Sequence, residues 1–475
     1  MTYAYCERLS ALDNSFLDLE DASTHMHIGA VALFEAAPLR TADGGVDVER
    51  IRAAVATGLH RMPRYRQRIE RVPIFGHPVW VDDARFNLSY HLRHTHLPRP
   101  GDARQLKRLV GRLFSQQLDR GKPLWEMWVV EGLPEERFAL VTKVHHCLID
   151  GVGSVELTGL IMRPSAEPDP RLLEPPPPWL PRPVPSCASL VAGEMLHRGR
   201  MPLGALGRAA RDPGGVLAAA RDTAVGLFEA VAPALRPASA TPLNTAIGPH
   251  RRFDWTETSL DDVRRIRRLG GTVNDAVLAI LSGGLRHFLH RRGVDVQGLE
   301  FRAMLPVNVR TALTRRQAGN QVAMLVVRLP LDEADPRRRL ERVVRETGDA
   351  KRSRQATGMR ALEELSDVTF TTLLVLFGRM TAAARPFNMV VTNVPGPPFP
   401  VHLLGARMTA CYPLVPLFRN MALNVALFSY AGRLFWGFNA DWDAVPDLHD
   451  LVEAVERECA RLCDAAGAAS GTPAA

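Results

Sequence analysis

The sequence predicts a two-domain α/β protein. Three observations carry that prediction. At 475 residues the chain is long for a single hydrophobic core. Strand-like apolar runs and helical stripes recur in both halves. Between the halves the composition breaks, first into a proline-rich stretch and then into an alanine- and arginine-rich one. The domains are drawn accordingly as residues 1–185, a linker or amphipathic helical segment over 186–240, and residues 241–475.

In the first half, Ile28 to Phe34 is an apolar run that reads as a strand. Val48, Ile51, Val55 and Leu59 have helical spacing, which predicts a helix over Val48 to His60. Leu106, Leu109, Val110, Leu113 and Phe114 form a second helical stripe, read as core. Phe138 to Val144 is apolar and β-rich, a strand that ends at two histidines, and a helix is expected after Gly153. Pro164 to Pro185, with Pro175 to Pro178 in a row, excludes regular helix or central strand and predicts an extended connector. From Ser189 to about Ala234, Leu203, Leu206, Leu217, Val225 and Leu227 offer apolar contacts beside Arg198, Arg200, Arg208, Arg211 and Arg221. Such a basic amphipathic segment suits a helix packed on the body, a lid, or a helix lying on a membrane.

The second half opens with a turn-rich stretch, Leu243 to Pro249, followed by a strand over Phe253 to Ser259. Asp261 and Asp262 precede a helix carrying Val263, Ile266 and Leu269. Val273-Asn274-Asp275 opens a long helix through Leu289, with Asn274 or Asp275 suited to capping it. Val322 to Leu329 and Arg433 to Phe438 read as buried strands, and Val391 to Pro398 as a strand running into a proline-glycine turn. Ala465 to Ala475 reads as a disordered tail. There is no strict internal repeat.

The stretch with most chemistry is His145-His146-Cys147-Leu148-Ile149-Asp150-Gly151, directly after the predicted strand. Neighbouring side chains on extended backbone point to opposite faces, so one imidazole can enter a cleft while the other packs or orients. A neutral imidazole takes a proton from an alcohol as its oxygen attacks a thioester, then returns it to the departing thiolate. Asp150 has two roles open to it: bonding an imidazole, or pairing an arginine and holding the turn. Gly151 permits positive φ and close approach of a ligand. Three other readings stand beside this one. The histidines are structural; they ligate zinc, although i and i+1 ligands diverge and neither CxxC nor HExxH occurs; or Cys147 is a nucleophile, although a cysteine in Cys-Leu-Ile is more often a small buried hydrophobe.

Composition narrows the partners. Lys and Arg number 59 against 51 Asp and Glu, for a net charge of +8. That balance suits solubility, anionic membrane surfaces and the phosphates of coenzyme A. No basic block with interleaved aromatics points to nucleic acid. Six scattered cysteines without framework spacing fit reduced thiols in a cytoplasm. The N-terminus lacks a secretory pattern, and no apolar run reaches the ~18 residues of a spanning helix. The longest candidate, Thr369 to Phe377, is too short.

HHCLIDG matches the HHxxxDG signature of the superfamily that includes chloramphenicol acetyltransferase and peptide-synthetase condensation domains. More specifically, the chain resembles the bacterial wax ester synthase/diacylglycerol acyltransferase family over nearly its whole length. The resemblance rests on an ordered series: Leu9 to Asp13, Phe16-Leu17, Met26 to Gly29, Pro123 to Met127, Val129 to Leu133, Asn274 to Ala279, Pro306 to Arg310, Gly319 to Gln321 and Val391 to Pro397. It implies two chloramphenicol acetyltransferase-like domains, each a mixed β-sheet flanked by helices, with the active site at their interface. It implies an O-acyltransferase that uses long-chain acyl-CoA as co-substrate, needs no further cofactor or metal, and acts on a long-chain alcohol, a diacylglycerol or both. His146 maps to the general base, with His145 and Asp150 in support. Gly151, Asn274 and Asp275 map to the substrate side, the last two from the other half of the molecule, and Asn274 is a candidate oxyanion donor. Trp128 stands where the family leads one to expect histidine, and Arg163-Pro164-Ser165 departs from its usual acidic continuation. Without a spanning helix, such an enzyme is expected in the cytoplasm, in peripheral contact with a membrane or lipid-droplet surface. Two rivals are an acyltransferase fed by a carrier protein and an inactive paralogue that only binds acyl-CoA or lipid.

Overall fold

The computed structural model describes residues 6–148, 159, 161–172, 174–176, 178–211, 237–308, 322–357 and 385–470. Two large mixed sheets dominate them. The first has seven strands in the order Leu92–His96, Trp125–Leu133, Arg137–His145, His27–Glu35, Ala406–Leu414, His402–Leu403 and Met162–Arg163. Its first pair is parallel and the others antiparallel. The second has six, in the order Val322–Arg328, Arg302–Asn308, Met389–Pro395, Leu423–Tyr430, Arg433–Asp441 and Arg251–Ser259. Met389–Pro395 lies parallel to both of its neighbours. A small antiparallel sheet joins Cys6–Arg8, Pro78–Asp82 and Gln67–Arg71.

The predicted elements form where their patterns fall. The 28–34 run lies within His27–Glu35, and the 138–144 run within Arg137–His145. Helix Ala103–Phe114 buries Leu106, Leu109, Val110, Leu113 and Phe114 on one face. Asp102 and Gln105 close a capping box at its start. The long helix runs Val273–Arg291, but its N-cap is Thr272; Asp275 is the third helical residue and the reciprocal partner of the capping box rather than the cap. The expected tail is partly helix, because Leu448–Ser470 continues through it. Val455, Cys459, Leu462 and Ala466 recur at helical spacing and are buried, so the packed face extends past residue 465. The described part of the proline-rich connector has only one short 3₁₀ turn, Pro170–Leu172. The helix expected after Gly153 and the 369–377 run lie outside the described residues.

The two halves are interlocked. Ala406–Leu414 belongs by sequence to the second half yet pairs with His27–Glu35 of the first sheet. The first hydrophobic core therefore includes Leu403, Met408, Tyr412 and Leu414 beside Val31, Phe34 and Val141. Helix Ala103–Phe114 in turn packs on Arg251–Ser259 of the second sheet. Gly111 lets it approach, since a Cβ there would lie 2.7 Å from the Arg251 carbonyl oxygen. The Ser115 hydroxyl accepts from the Arg251 amide at 2.8 Å.

Candidate active site

The strand Arg137–His145 pairs residue for residue with His27–Glu35, which sets His27 opposite His145. The chain then leaves the sheet in a 3₁₀ turn, His146–Leu148. The His146 amide donates to the Met26 carbonyl at 2.8 Å, so the turn is tied to the end of the neighbouring strand. Lys143, two residues earlier on the same face of the strand, fixes it further. Its buried ammonium donates to the Leu113 and Gln116 carbonyls at 3.0 and 3.1 Å, at the C-terminal end of helix Ala103–Phe114. Glu126 lies 3.3 Å away as counter-charge.

The expected divergence of the two imidazoles is present. His145 is fully buried. Its Nδ1 accepts from the Cys147 amide at 3.2 Å, which leaves the ring proton on Nε2. Nε2 faces a Glu20 carboxylate oxygen at 3.5 Å. His146 keeps part of its surface accessible and stacks on Phe16, with ring centroids 3.9 Å apart and an interplanar angle of 23°. Its Nδ1 is buried without a hydrogen-bond partner among the described residues. Burial, reinforced by His145, lowers its pKa to about 4, so the ring is neutral near pH 7.

Glu20 is the residue that the sequence did not announce. It is the C-cap of helix Ala11–Leu19, where the helix dipole disfavours a carboxylate. The structure compensates with a cation and two imidazoles. Arg120 donates to it through Nε at 3.1 Å and Nη2 at 2.7 Å, and also caps the Leu17 carbonyl at 2.9 Å. His27 Nε2 approaches the other oxygen at 3.4 Å. Burial alone would raise the Glu20 pKa, but the contacts from His145 and His27 outweigh it and hold the carboxyl well below its usual range. His27 is itself driven down to about 3 by burial. One short helix thus supplies two things: Phe16 beneath the His146 ring and Glu20 behind His145.

Cys147 is 2% exposed, and burial, followed by Asp13 and Glu20, raises its pKa well above the usual thiol range. A thiol so placed is not an activated nucleophile. Asp150 and Gly151 lie outside the described residues. In the second half, Asn274 is exposed and its carbonyl oxygen accepts from Asn393 at 2.7 Å, joining two of the sequence blocks and leaving its own amide group as a donor. Asp275 is buried and occupied: it accepts from the Thr272 amide and hydroxyl at 2.7 and 2.8 Å and from the Thr347 hydroxyl at 2.7 Å. Its place is that of a helix-capping and helix-bridging carboxylate. Trp128, at the departure from the family pattern, donates to Glu126 at 3.3 Å beneath the Arg93 guanidinium.

A histidine pair at a strand end, inside two interlocked mixed sheets, is an arrangement suited to acyl transfer. The model of the wax ester synthase/diacylglycerol acyltransferase catalytic domain matches residues 9–277, and that of the family's C-terminal domain matches residues 318–462. The chain belongs to this family and is an O-acyltransferase. It is 32% identical over 472 residues to the probable diacylglycerol O-acyltransferase tgs1 of Mycobacterium tuberculosis, covering 96% of this chain and 95% of that one. It is 32% identical over 466 residues to tgs2 of the same organism, covering 96% and 98%. The solved wax ester synthase/diacylglycerol acyltransferase from Marinobacter aquaeolei VT8 aligns with a TM-score of 0.72 at 25% identity, over 97% of this chain and 100% of that one. The starter condensation domain of rhizomide synthetase shares the fold, with a TM-score of 0.57 at 15% identity over 98% and 95% of the two chains. The expected fold class is thereby met.

Proposed function

We propose that the chain transfers a long-chain acyl group from acyl-CoA to the hydroxyl of a long-chain alcohol or a diacylglycerol, giving wax ester or triacylglycerol, with His146 as general base. The observation that carries this reading is the neutral His146 ring, held on Phe16 at the end of its strand. A base with a pKa of about 4 is free of its proton throughout the physiological range but pulls weakly on a hydroxyl. Proton transfer is therefore concerted with attack: the acceptor oxygen bonds to the thioester carbon as its proton passes to the imidazole. The carbon–sulfur bond then breaks, and the imidazolium returns that proton to the coenzyme A thiolate. His145, fixed by the Cys147 amide and Glu20, acts as a positioning residue. Asn274 is assigned as the oxyanion donor through its amide group, and Asp150 and Gly151 to the loop beside the base. Asp275 shapes the site through the helix whose capping box it completes. No cofactor beyond acyl-CoA is needed.

The same reading has the enzyme contact a membrane or lipid-droplet surface peripherally. No helix among the described residues is long and apolar enough to cross a membrane. Exposed Met195 and Leu196 on Cys187–Arg211, and Ile74 on the turn packed beside that helix, give apolar contacts next to Arg198.

The test is an assay with labelled palmitoyl-CoA against hexadecanol and dipalmitoylglycerol in parallel. His146→Ala should lower turnover about a hundredfold or more. Near-wild-type ester formation by a folded variant rejects the assignment, and absence of both esters with the wild-type enzyme rejects the reaction.

A further inference from the structure

The C-terminal end of helix Val273–Arg291 meets helices Pro336–Thr357 and Leu448–Ser470 at a cavity of about 160 Å³. Its walls carry Arg286, His287, His290, Arg339, Glu458 and Arg461. That volume is about ten times what one water needs. His287 lies thirteen residues along the helix from Asn274, a rise of roughly 20 Å, so this cavity is separate from the acyl-transfer site.

Its charge is unbalanced. Three arginines face one glutamate, which leaves a net charge of two positive with the histidines neutral. Glu458 already pairs with both Arg339 and Arg461. Arg286 donates from Nη1 to the Leu331 and Asp332 main-chain carbonyls, which do not neutralise its charge. Arg339 is completely buried; burial, then repulsion from Arg461 and Arg286, brings its pKa down to about 10. His287 is lowered by burial and by Arg457, Arg291 and Arg461. A glycine lets the ion pair of the floor pack close to the helix. Gly283 lies against the Arg339–Glu458 pair, and a Cβ there would overlap Glu458 and come within 2.7 Å of Arg339 Nη2.

We propose that this cavity binds a phosphate group, held by Arg286, Arg461 and the two imidazoles above the Arg339–Glu458 pair. Two surplus positive charges match a phosphate dianion, and guanidinium forks fit its oxygens. The group arrives either as soluble phosphate or as the headgroup of an anionic lipid. The site stands independently of the acyl-transfer reading.

Full-length protein is titrated calorimetrically with inorganic phosphate, and sedimented with phosphatidylcholine vesicles with and without phosphatidic acid. The variants are His287→Gln/Arg461→Gln, both exposed positions whose loss leaves the core intact, and the charge-preserving Arg461→Lys. Wild type should bind phosphate saturably. The double variant should bind roughly tenfold or more weakly, and Arg461→Lys should keep most of the affinity. Capture on phosphatidic acid vesicles, competed by inorganic phosphate, assigns the ligand to a headgroup; phosphate binding without capture assigns it to a soluble phosphate. Absence of saturable binding in both arms for the wild type, or undiminished binding by the folded double variant, overturns the proposal.

Discussion

Removing the Glu20 carboxylate separates what it does for the fold from what it does for the histidines. In Glu20→Ala the buried His145 Nε2, which makes no hydrogen bond among the described residues, loses the carboxylate 3.5 Å away that offsets its burial, at a cost of about 1–3 kcal/mol. The Arg120 end adds less, because that guanidinium is 43% exposed and solvent screens the pair; about 0.5 kcal/mol is expected from it. Together these give a loss of roughly 1.5–3.5 kcal/mol in urea unfolding, read as a lower midpoint at constant slope. The His146 amide bond to Met26 and the Phe16 stack stay intact, so kcat should fall by about tenfold, well short of the loss on deleting His146 itself, with little change in KM. Glu20→Gln keeps the shape and one acceptor and should recover much of the stability. The wild-type carboxyl is ionised in the fold well below its usual range, so its contribution is full above the ordinary carboxylate pKa and fades as pH falls through the folded value. Glu20→Gln should lose that part of the acid dependence. An alanine variant with wild-type kcat and a midpoint unchanged within error would refute the positioning role.

Four further outcomes are expected. Gly29→Ala should destabilise by about 3 kcal/mol or prevent folding, because its Cβ would overlap the Thr142 carbonyl oxygen and press within 2.7 Å of Phe114; a thermal melt checks this. Lys143→Met should cost about 2 kcal/mol in denaturant unfolding by freeing two helix-end carbonyls and removing one of the charges paired with Glu126, which keeps Arg93. Cys147→Ala should keep turnover of the same order without any acyl-enzyme in mass spectra, since the thiol is held protonated by burial. Acid titration should show the buried neutral histidines: His27 and His91 are lowered by burial to about 3 and about 4, from 6.5. The unfolded state binds more protons below that value, so stability is full above pH 6.5 and falls by ~1.4 kcal/mol per pH unit per ring until the folded values are reached. Flat stability between pH 6.5 and 4 would contradict it.

Much of the architecture was legible because local pattern and tertiary burial agree. The apolar run before His145 and the stripe from Leu106 to Phe114 face one core each, so period alone located them. Capping was legible in kind but not in register: both Thr272 and Asp275 have capping chemistry, and only the backbone shows which is the cap. The C-terminal helix was missed because its last turns are rich in alanine and small residues, which resemble a tail until the opposing helix is known. Glu20 was hidden for a different reason. Its main partner is one hundred residues away, and nothing near Glu20 in the chain marks it as buried. The strand Ala406–Leu414 was likewise invisible, since the hydroxyl of Thr409 finds its acceptor, Leu33, 376 residues earlier.

That strand alters how this enzyme can be taken apart. A gene fusion joined at the proline-rich connector looks like a clean exchange of halves, yet it would force the recipient's catalytic sheet to accept a foreign neighbour along His27–Glu35. Swaps that exchange residues 402–414 together with the first half should yield working hybrids more often than swaps at the connector alone.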